Sequence, residues 1–278
     1  PPRDCCGGVG AHGADYLGPE HAGVQMRIDP KNPLPFGTPG ATVFREECAD
    51  QLALLRELNG IAAVEYPDDA AMRSRVKSYE LAFRMQMAVP EVMDLDGETA
   101  GTQKLYGLDQ GPTRSFGQQC LLARRFVERG VRFVQLYHGG WDAHSKLKSN
   151  HSSRIGQTDQ PIAGLLKDLK QRGLLDETLV VWGGEFGRTP MAQGDGRDHH
   201  MMGFSMFMAG GGVKPGMTYG ATDDLGYHAA EDIVEVHDLH ATMLRQLGID
   251  HKRLTYRYQG RDFRLTDVHG HVVKDILA

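Results

Sequence analysis

Carboxylates and imidazoles recur in three short clusters of the sequence, and together they form the donor set of a metal site. The clusters are HGGWDAH at 138–144, the pair Glu185 and Arg188, and DHH at 198–200. Asp142 and His144 are two residues apart, so an extended loop would point both side chains to one side. Carboxylate oxygen with imidazole nitrogen suits Zn²⁺, Mn²⁺ or Fe²⁺. The sequence therefore favours a divalent metal site.

Each of these residues also has an ordinary structural role open to it. The chain contains 13 histidines, and one histidine taken alone is more often a hydrogen-bonded or surface residue than a ligand. A loop-bracing hydrogen bond explains Asp142 with His144 about as well as a metal does. Glu185 fits a helix cap or an ion pair with Arg188, and His200 fits a hydrogen bond to a backbone carbonyl. Convergence of the clusters at strand ends is what favours a site.

The clusters adjoin apolar, β-branched runs that are typical of buried strands. These runs are VRFVQLY at 131–137, LVVW at 179–182 and FSMFMA at 204–209. Helices are predicted over 159–172 and 233–247, and this alternation favours an α/β fold with a mostly parallel sheet flanked by helices. Ligands bind beyond the carboxyl ends of strands in such sheets, where the first two clusters would share an edge.

The part of the chain before residue 131 has a different pattern. Residues 1–43 are rich in Gly and Pro and predict an irregular lead-in segment. Helices are predicted from Phe44 to a stop at Asn59-Gly60, from Asp68 or Asp69 to Pro90, and from about Thr113 to Gly130. We treat 1–278 as a single domain that opens with this lead-in.

The totals exclude several classes of protein. The 278 residues are 40% hydrophobic and 24% charged, which is typical of a globular chain that buries a substantial core. A formal net charge of −5 gives no electrostatic footprint for nucleic acid. No apolar run approaches the length of a membrane span. Cys48 and Cys120 lie on apolar stripes of predicted helices, where core packing is the better explanation.

Other polar and glycine-rich motifs favour structural roles. Asp238 falls in the first turn of a predicted helix, where the helix dipole accounts for a carboxylate. The segment AGGGVKPG lacks the phosphate-loop pattern G-x-x-x-x-G-K-[ST], so a simple turn is the better interpretation. No G-x-S-x-G nucleophile turn is present.

A set of longer motifs resembles one bacterial family. LYHGGWDAH, LVVWGGEFGRTP, GRDHH, GFSMFMAGGGVKPG, HDLHATMLRQLGI and YRYQGRDFRLTD occur in the order found in the family called domain of unknown function 1501. The resemblance covers nearly the whole chain. It implies a fold similar to the alkaline phosphatase and sulfatase superfamily, whose members hydrolyse phosphate or sulfate esters at metal ions.

The resemblance also implies roles for individual residues. Glu185 takes the place of the Asp in the superfamily's Asp-His-Gly, and His199 that of the later His ligand. Asp142 and His144 resemble the upstream Asp and His ligands. The four would hold a divalent ion such as Zn²⁺, Mn²⁺ or Ca²⁺, with Arg188 and His200 as the catalytic candidates. Phe186 departs from the pattern, because it stands where Asp-His-Gly supplies an imidazole.

The resemblance further implies a segment that this sequence does not show. Family members carry a twin-arginine export signal and an N-terminal strand with a Gly-Gly-x-Ser-x-x-Asp turn that supplies the nucleophile. The chain starts Pro-Pro-Arg-Asp without Met or a signal sequence, so we expect it to lack that N-terminal part.

Three functional hypotheses follow. The first is an exported, metal-dependent hydrolase of sulfate or phosphate esters, acting on a small molecule or a polysaccharide. The second is a non-catalytic exported module that binds a metal or carbohydrate, and the departure at Phe186 favours it. The third is a cytosolic metal-binding fragment.

Overall fold

The structure is a computed structural model, and it describes residue 21 and the ranges 23–28, 45–65, 89 and 91–278. Contacts divide the chain into two compact units, 1–99 and 100–278. Most of the predicted lead-in at 1–43 and the body of the helix predicted from Asp68 lie outside the described residues. The single-domain assignment stays a prediction.

The first unit contains helix α1, Arg45–Glu65. This helix continues through Asn59-Gly60, where the sequence predicted a stop. A glycine inside a helix costs only about 1 kcal/mol relative to alanine, and no proline follows before Pro67, so the helix continues. Leu55 of this helix is 44% exposed. The side chain of Cys48 lies outside the described residues.

Three helices form the core of the second unit: α2 at Ala100–Leu105, α3 at Gly111–Glu128 and α4 at Leu147–Gln171. The prediction for α3 is confirmed, including its end near Gly130, which adopts φ +80°. Helix α4 begins twelve residues before the prediction, at Leu147 instead of Asp159. The helices bury Phe116, Cys120, Leu121, Leu165 and Leu169.

A buried charged network joins α3 and α4 to Tyr106, the residue that follows α2. Asp168 Oδ2 lies 3.0 Å from Arg124 Nε and accepts a 2.9 Å hydrogen bond from the hydroxyl of Tyr106. Its other oxygen accepts a 2.7 Å bond from Arg172. Burial, reinforced by the charge of Asp168, raises the pKa of Tyr106. The network fixes α4 against its neighbours, and α4 begins at Leu147, three residues after His144.

Eight short strands form four two-stranded sheets within the described residues. Strand β1 (Val180–Trp182) pairs with β4 (Phe207–Ala209), and β2 (Gly187–Arg188) pairs with β3 (His199–His200). The other pairs join β5 (Ala221–Thr222) to β6 (Ala229–Glu231), and β7 (Thr255–Tyr258) to β8 (Arg261–Arg264). The fold is a mixed α/β fold.

The described ladders differ from the predicted mostly parallel sheet, because all four are antiparallel. The chain between β1 and β4 forms the β2–β3 ladder in place of a crossover helix, so β4 returns alongside β1 in the opposite direction. The run at 131–137 joins none of the described ladders.

Helix α5 (Val236–Gln246) and the glycine-rich turn have the structural roles that the sequence favoured. Asp238 accepts hydrogen bonds from the backbone nitrogens of Glu235 (3.0 Å) and His271 (2.6 Å). Gly211 donates its N–H to the carbonyl of Leu175, so this turn packs internally. None of the described helices combines the length and apolar composition needed to span a bilayer.

Candidate metal site

Three ligand-type atoms, two from the loop at 138–144 and one from strand β3, meet at one point on the surface of the second unit. Asp142 Oδ1 lies 3.0 Å from His144 Nε2 and 2.9 Å from His199 Nε2, and the two imidazole nitrogens are 3.1 Å apart. Ligand atoms around a tetrahedral zinc ion are roughly 3.4 Å apart, given bonds of about 2.1 Å. The three atoms therefore need only a small outward adjustment to hold such an ion.

The loop at 138–144 presents two of these ligands on one side. Ala143 is 2% exposed and points inward, whereas the side chains of Asp142 and His144 are 64% and 41% exposed. This alternation is what the two-residue spacing predicted. Asp142 and His144 therefore face the same point outside the core.

The third ligand is brought in by the chain segment between β2 and β3. The backbone N–H of Arg197 donates to the carbonyl of Ala143 at 3.1 Å, and that of Leu147 donates to Asp195 at 3.1 Å. Between these two hydrogen bonds, Gly196 contacts the backbone of His144 so closely that a Cβ atom at position 196 would have no space. The close approach of the two segments sets the distance from His144 to His199.

The β2–β3 ladder explains why Arg188 and His199 reach the same carboxylate. The two residues are directly opposite each other in the register and share one face. His200, the next residue, points to the opposite face, where it is 5% exposed. Its Nε2 donates a 2.6 Å hydrogen bond to the carbonyl of Tyr227. The structure therefore separates His200 from the ligand atoms and gives it the carbonyl-bonding role that the sequence left open.

Arg188 holds the carboxylate that the two imidazoles approach. Its Nη2 donates to Asp142 Oδ1 at 2.7 Å and to the carbonyl of Trp141 at 3.3 Å. The hydrogen bonds from His199 and Arg188 lower the pKa of Asp142 to about 2. Asp142 is therefore ionised, the form in which a carboxylate binds a metal.

Gln193 is a site residue that the sequence did not predict. Its Oε1 lies 2.8 Å from Nδ1 of His144. Because a carboxamide oxygen only accepts, the neutral imidazole carries its proton on Nδ1 and keeps the Nε2 lone pair free. This is the second hydrogen bond that orients a metal-binding histidine. A glutamine in an irregular loop gives no sequence signal for such a role.

Phe186 and Glu185 occupy the bend that leads into β2. The ring of Phe186 lies over the imidazole of His199, with centroids 4.4 Å apart and planes inclined by 34°. Phe186 therefore packs against the imidazole of one candidate ligand. Glu185 is exposed and is not among the three residues whose ligand atoms converge.

Comparisons with known proteins place the whole chain in one family. No curated protein and no solved structure matches it. Residues 2–277 match the family model described as "Protein of unknown function (DUF1501)". Because this match extends over almost the entire sequence, the chain belongs to the DUF1501 family.

Proposed function

We propose that this protein is a metal-dependent hydrolase of sulfate or phosphate esters, carried on small molecules or on polysaccharide. The convergence of Asp142, His144 and His199 is the observation that carries the proposal. The resemblance to the alkaline phosphatase and sulfatase superfamily supports the ester class. It also supports export and a fold of the sulfatase type.

The number of ligands and their exposure favour catalysis over a structural metal. Structural zinc sites use four protein ligands, whereas catalytic zinc sites use three and keep one position for water or substrate. Three ligand atoms converge here, and all three side chains are between 41% and 64% exposed. A substrate can therefore approach from solvent.

The residues around the ligands prepare them for a divalent ion. A bound ion would act as a Lewis acid that polarises the ester oxygens. Gln193 keeps the proton of His144 on Nδ1, and Arg188 holds Asp142 Oδ1 between the two imidazoles. The side chain of Arg188 is 17% exposed and places its positive charge beside the site, where an anionic substrate would bind.

A non-catalytic metal- or carbohydrate-binding module is the second candidate. Phe186 favours it, because this ring covers one face of His199 at the place of a further ligand. A protein that holds a single metal ion can bind a sulfated or phosphorylated ligand without hydrolysing its ester. Turnover of sulfate and phosphate monoesters separates the two functions.

The first experiment measures metal content and Co²⁺ binding by the wild-type protein and by Asp142→Ala and His199→Ala. We expect one tightly held ion per chain in the wild type and its loss in both variants, because each removes one of three ligands. Glu185→Ala is the matched control, since this exposed carboxylate lies outside the triad, and it should keep the ion. Metal content that is unchanged in Asp142→Ala and His199→Ala would contradict the ligand assignment.

The second experiment tests the reaction class. The metal-loaded protein is assayed with p-nitrophenyl sulfate and p-nitrophenyl phosphate, beside Asp142→Ala. Hydrolysis of either ester that disappears in the variant supports the hydrolase. A loaded protein that binds its ion and turns over neither ester supports the binding module.

A further inference from the structure

The loop that carries Asp142 and His144 begins with a hydrogen-bonded pair of side chains. The indole Nε1–H of Trp141 donates to Nδ1 of His138 at 3.0 Å. The other ring nitrogen, Nε2, lies 3.1 Å from Oε1 of Gln157 on α4. Because an indole only donates and Gln157 presents an oxygen, His138 is neutral and carries its proton on Nε2.

The pair is packed against the helical core. The His138 ring meets Phe116 of α3 edge-on at 5.1 Å, and the Trp141 ring lies 5.7 Å from His151 of α4. Burial lowers the pKa of His138, which preserves its neutral form. Arg154 is the charged neighbour on α4, and it donates to Gln157 Oε1 and to the carbonyl of Gly140. One end of the loop is thereby fixed to two helices.

Trp141 connects this anchor to the ligand atoms through its own backbone. Its carbonyl accepts from Arg188 Nη2 at 3.3 Å and lies 3.4 Å from Nε2 of His151. The same Nη2 of Arg188 donates to Asp142 Oδ1, and Asp142 is the next residue along the chain. A shift of Trp141 would therefore move both the carboxylate ligand and the arginine that holds it.

We propose that His138 and Trp141 are positioning residues of the metal site, whose hydrogen bond places Asp142 and Arg188 for metal binding. The inference rests on the proposed metal site. It assigns a role in the site to two side chains that contribute no ligand atom to it. Loss of a hydrogen-bond partner of a metal ligand typically changes metal affinity by about 10- to 100-fold, and this pair acts on Asp142 through such a partner, Arg188.

The test uses variants that remove or retain the one hydrogen bond. Trp141→Phe removes the indole N–H and keeps an aromatic ring. His138→Phe removes the acceptor and keeps the ring contact with Phe116. His138→Asn retains an acceptor, because its Oδ1 occupies nearly the position of Nδ1. Co²⁺ affinity is measured by absorption titration for each variant and for the Trp141→Phe, His138→Phe double variant.

The expected result is a roughly 10- to 100-fold loss of Co²⁺ affinity in Trp141→Phe and His138→Phe. His138→Asn should recover most of that loss, and the double variant should be no weaker than the worse single one. Recovery by Asn is the result that a purely structural role of the His138 ring would not give. Wild-type affinity in both Phe variants would overturn the proposal.

A metal-free measurement keeps the inference separable from the proposed function. In the apoprotein, proton exchange of the Trp141 indole and the Arg188 guanidinium is followed by NMR. We expect slow exchange for both in the wild type and faster exchange for both in His138→Phe. If the wild type binds no Co²⁺, the metal proposal fails, and this measurement still decides whether the hydrogen bond between His138 and Trp141 places Arg188. Unchanged exchange of Arg188 in His138→Phe would overturn it.

Discussion

Asp142 Oδ1 lies 2.9 Å from Nε2 of His199, although 57 positions separate the two residues in the chain. The contact exists because the segment between β2 and β3 folds back onto the loop at 138–144. Two backbone hydrogen bonds, from Arg197 to Ala143 and from Leu147 to Asp195, hold the two segments together. The site thus depends on how closely these backbones approach each other.

Gly196→Ala should therefore damage the site without touching a ligand. A Cβ atom at this position would overlap the carbonyl group of His144 and lie 2.5 Å from the backbone nitrogen of Ser145. Neither neighbour is the end of a flexible side chain, so the segments must move apart. We expect Co²⁺ affinity to fall by at least about tenfold, the scale seen when support around a metal ligand is lost.

Gly139→Ala is the matched control for this prediction. Gly139 lies in the same loop as His144, but a Cβ atom there meets nothing within 4 Å, and its φ is not positive. Its Co²⁺ affinity should equal that of the wild type. Equal affinities in Gly196→Ala and Gly139→Ala would show that the close approach does not set the ligand geometry.

The pKa of Asp142 gives a measure of the assembled site in the absence of metal. It is lowered to about 2, first by the hydrogen bond from His199 and then by that from Arg188. A lowered carboxyl pKa stabilises the folded state above the unfolded value near 3.8, and this stabilisation is lost as pH falls towards 2. Titration of Asp142 by carbon NMR should give a higher pKa in His199→Ala. An unchanged value would mean that the contact is absent in solution.

Three of the four metal ligands that the sequence predicted converge in the structure, and for two of them the reason is local. The spacing of Asp142 and His144 around the inward-pointing Ala143 fixes their common side in an extended loop. His199 was named through the family resemblance, and the structure brings it to the same point on the antiparallel β2–β3 ladder. Glu185 differs, because the bend that contains it leaves its carboxylate exposed and outside the triad.

Pairing direction and hydrogen-bond partners were beyond the reach of the sequence. The apolar runs at 179–182 and 204–209 predict two strands, but composition carries no information on whether neighbours run parallel or antiparallel. Gln193 orients His144 only because a loop without periodicity places it there. His200 was separated from His199 by the alternation of a strand that is two residues long.

Cys120 should be an unreactive thiol in the folded protein. It is 1% exposed, and burial raises its pKa to about 12. Folding favours the protonated thiol, so its contribution to stability is full below the unfolded value of 9.0 and is lost as pH rises above it.

The measurement uses a variant in which Cys5, Cys6 and Cys48 are replaced by serine. Ellman's reagent at pH 8 should detect no thiol in the native variant and one thiol per chain in denaturant. Rapid reaction of the native variant would contradict the buried position of Cys120 in α3.

The last prediction compares a buried ion pair with an exposed one. Arg124 and Asp168 have side chains that are 3% and 7% exposed, and they join α3 to α4. Arg124→Met leaves the buried carboxylate of Asp168 with less compensating charge, which costs about 3–5 kcal/mol when a buried pair is broken on one side.

Arg257 and Asp262, which pair across the β7–β8 hairpin, are 71% and 55% exposed. Arg257→Ala should cost at most about 1 kcal/mol, because water screens such a pair. Urea denaturation gives both free energies of unfolding, and equal losses would mean that Arg124 is not a support of the helical core on which the site loop is anchored.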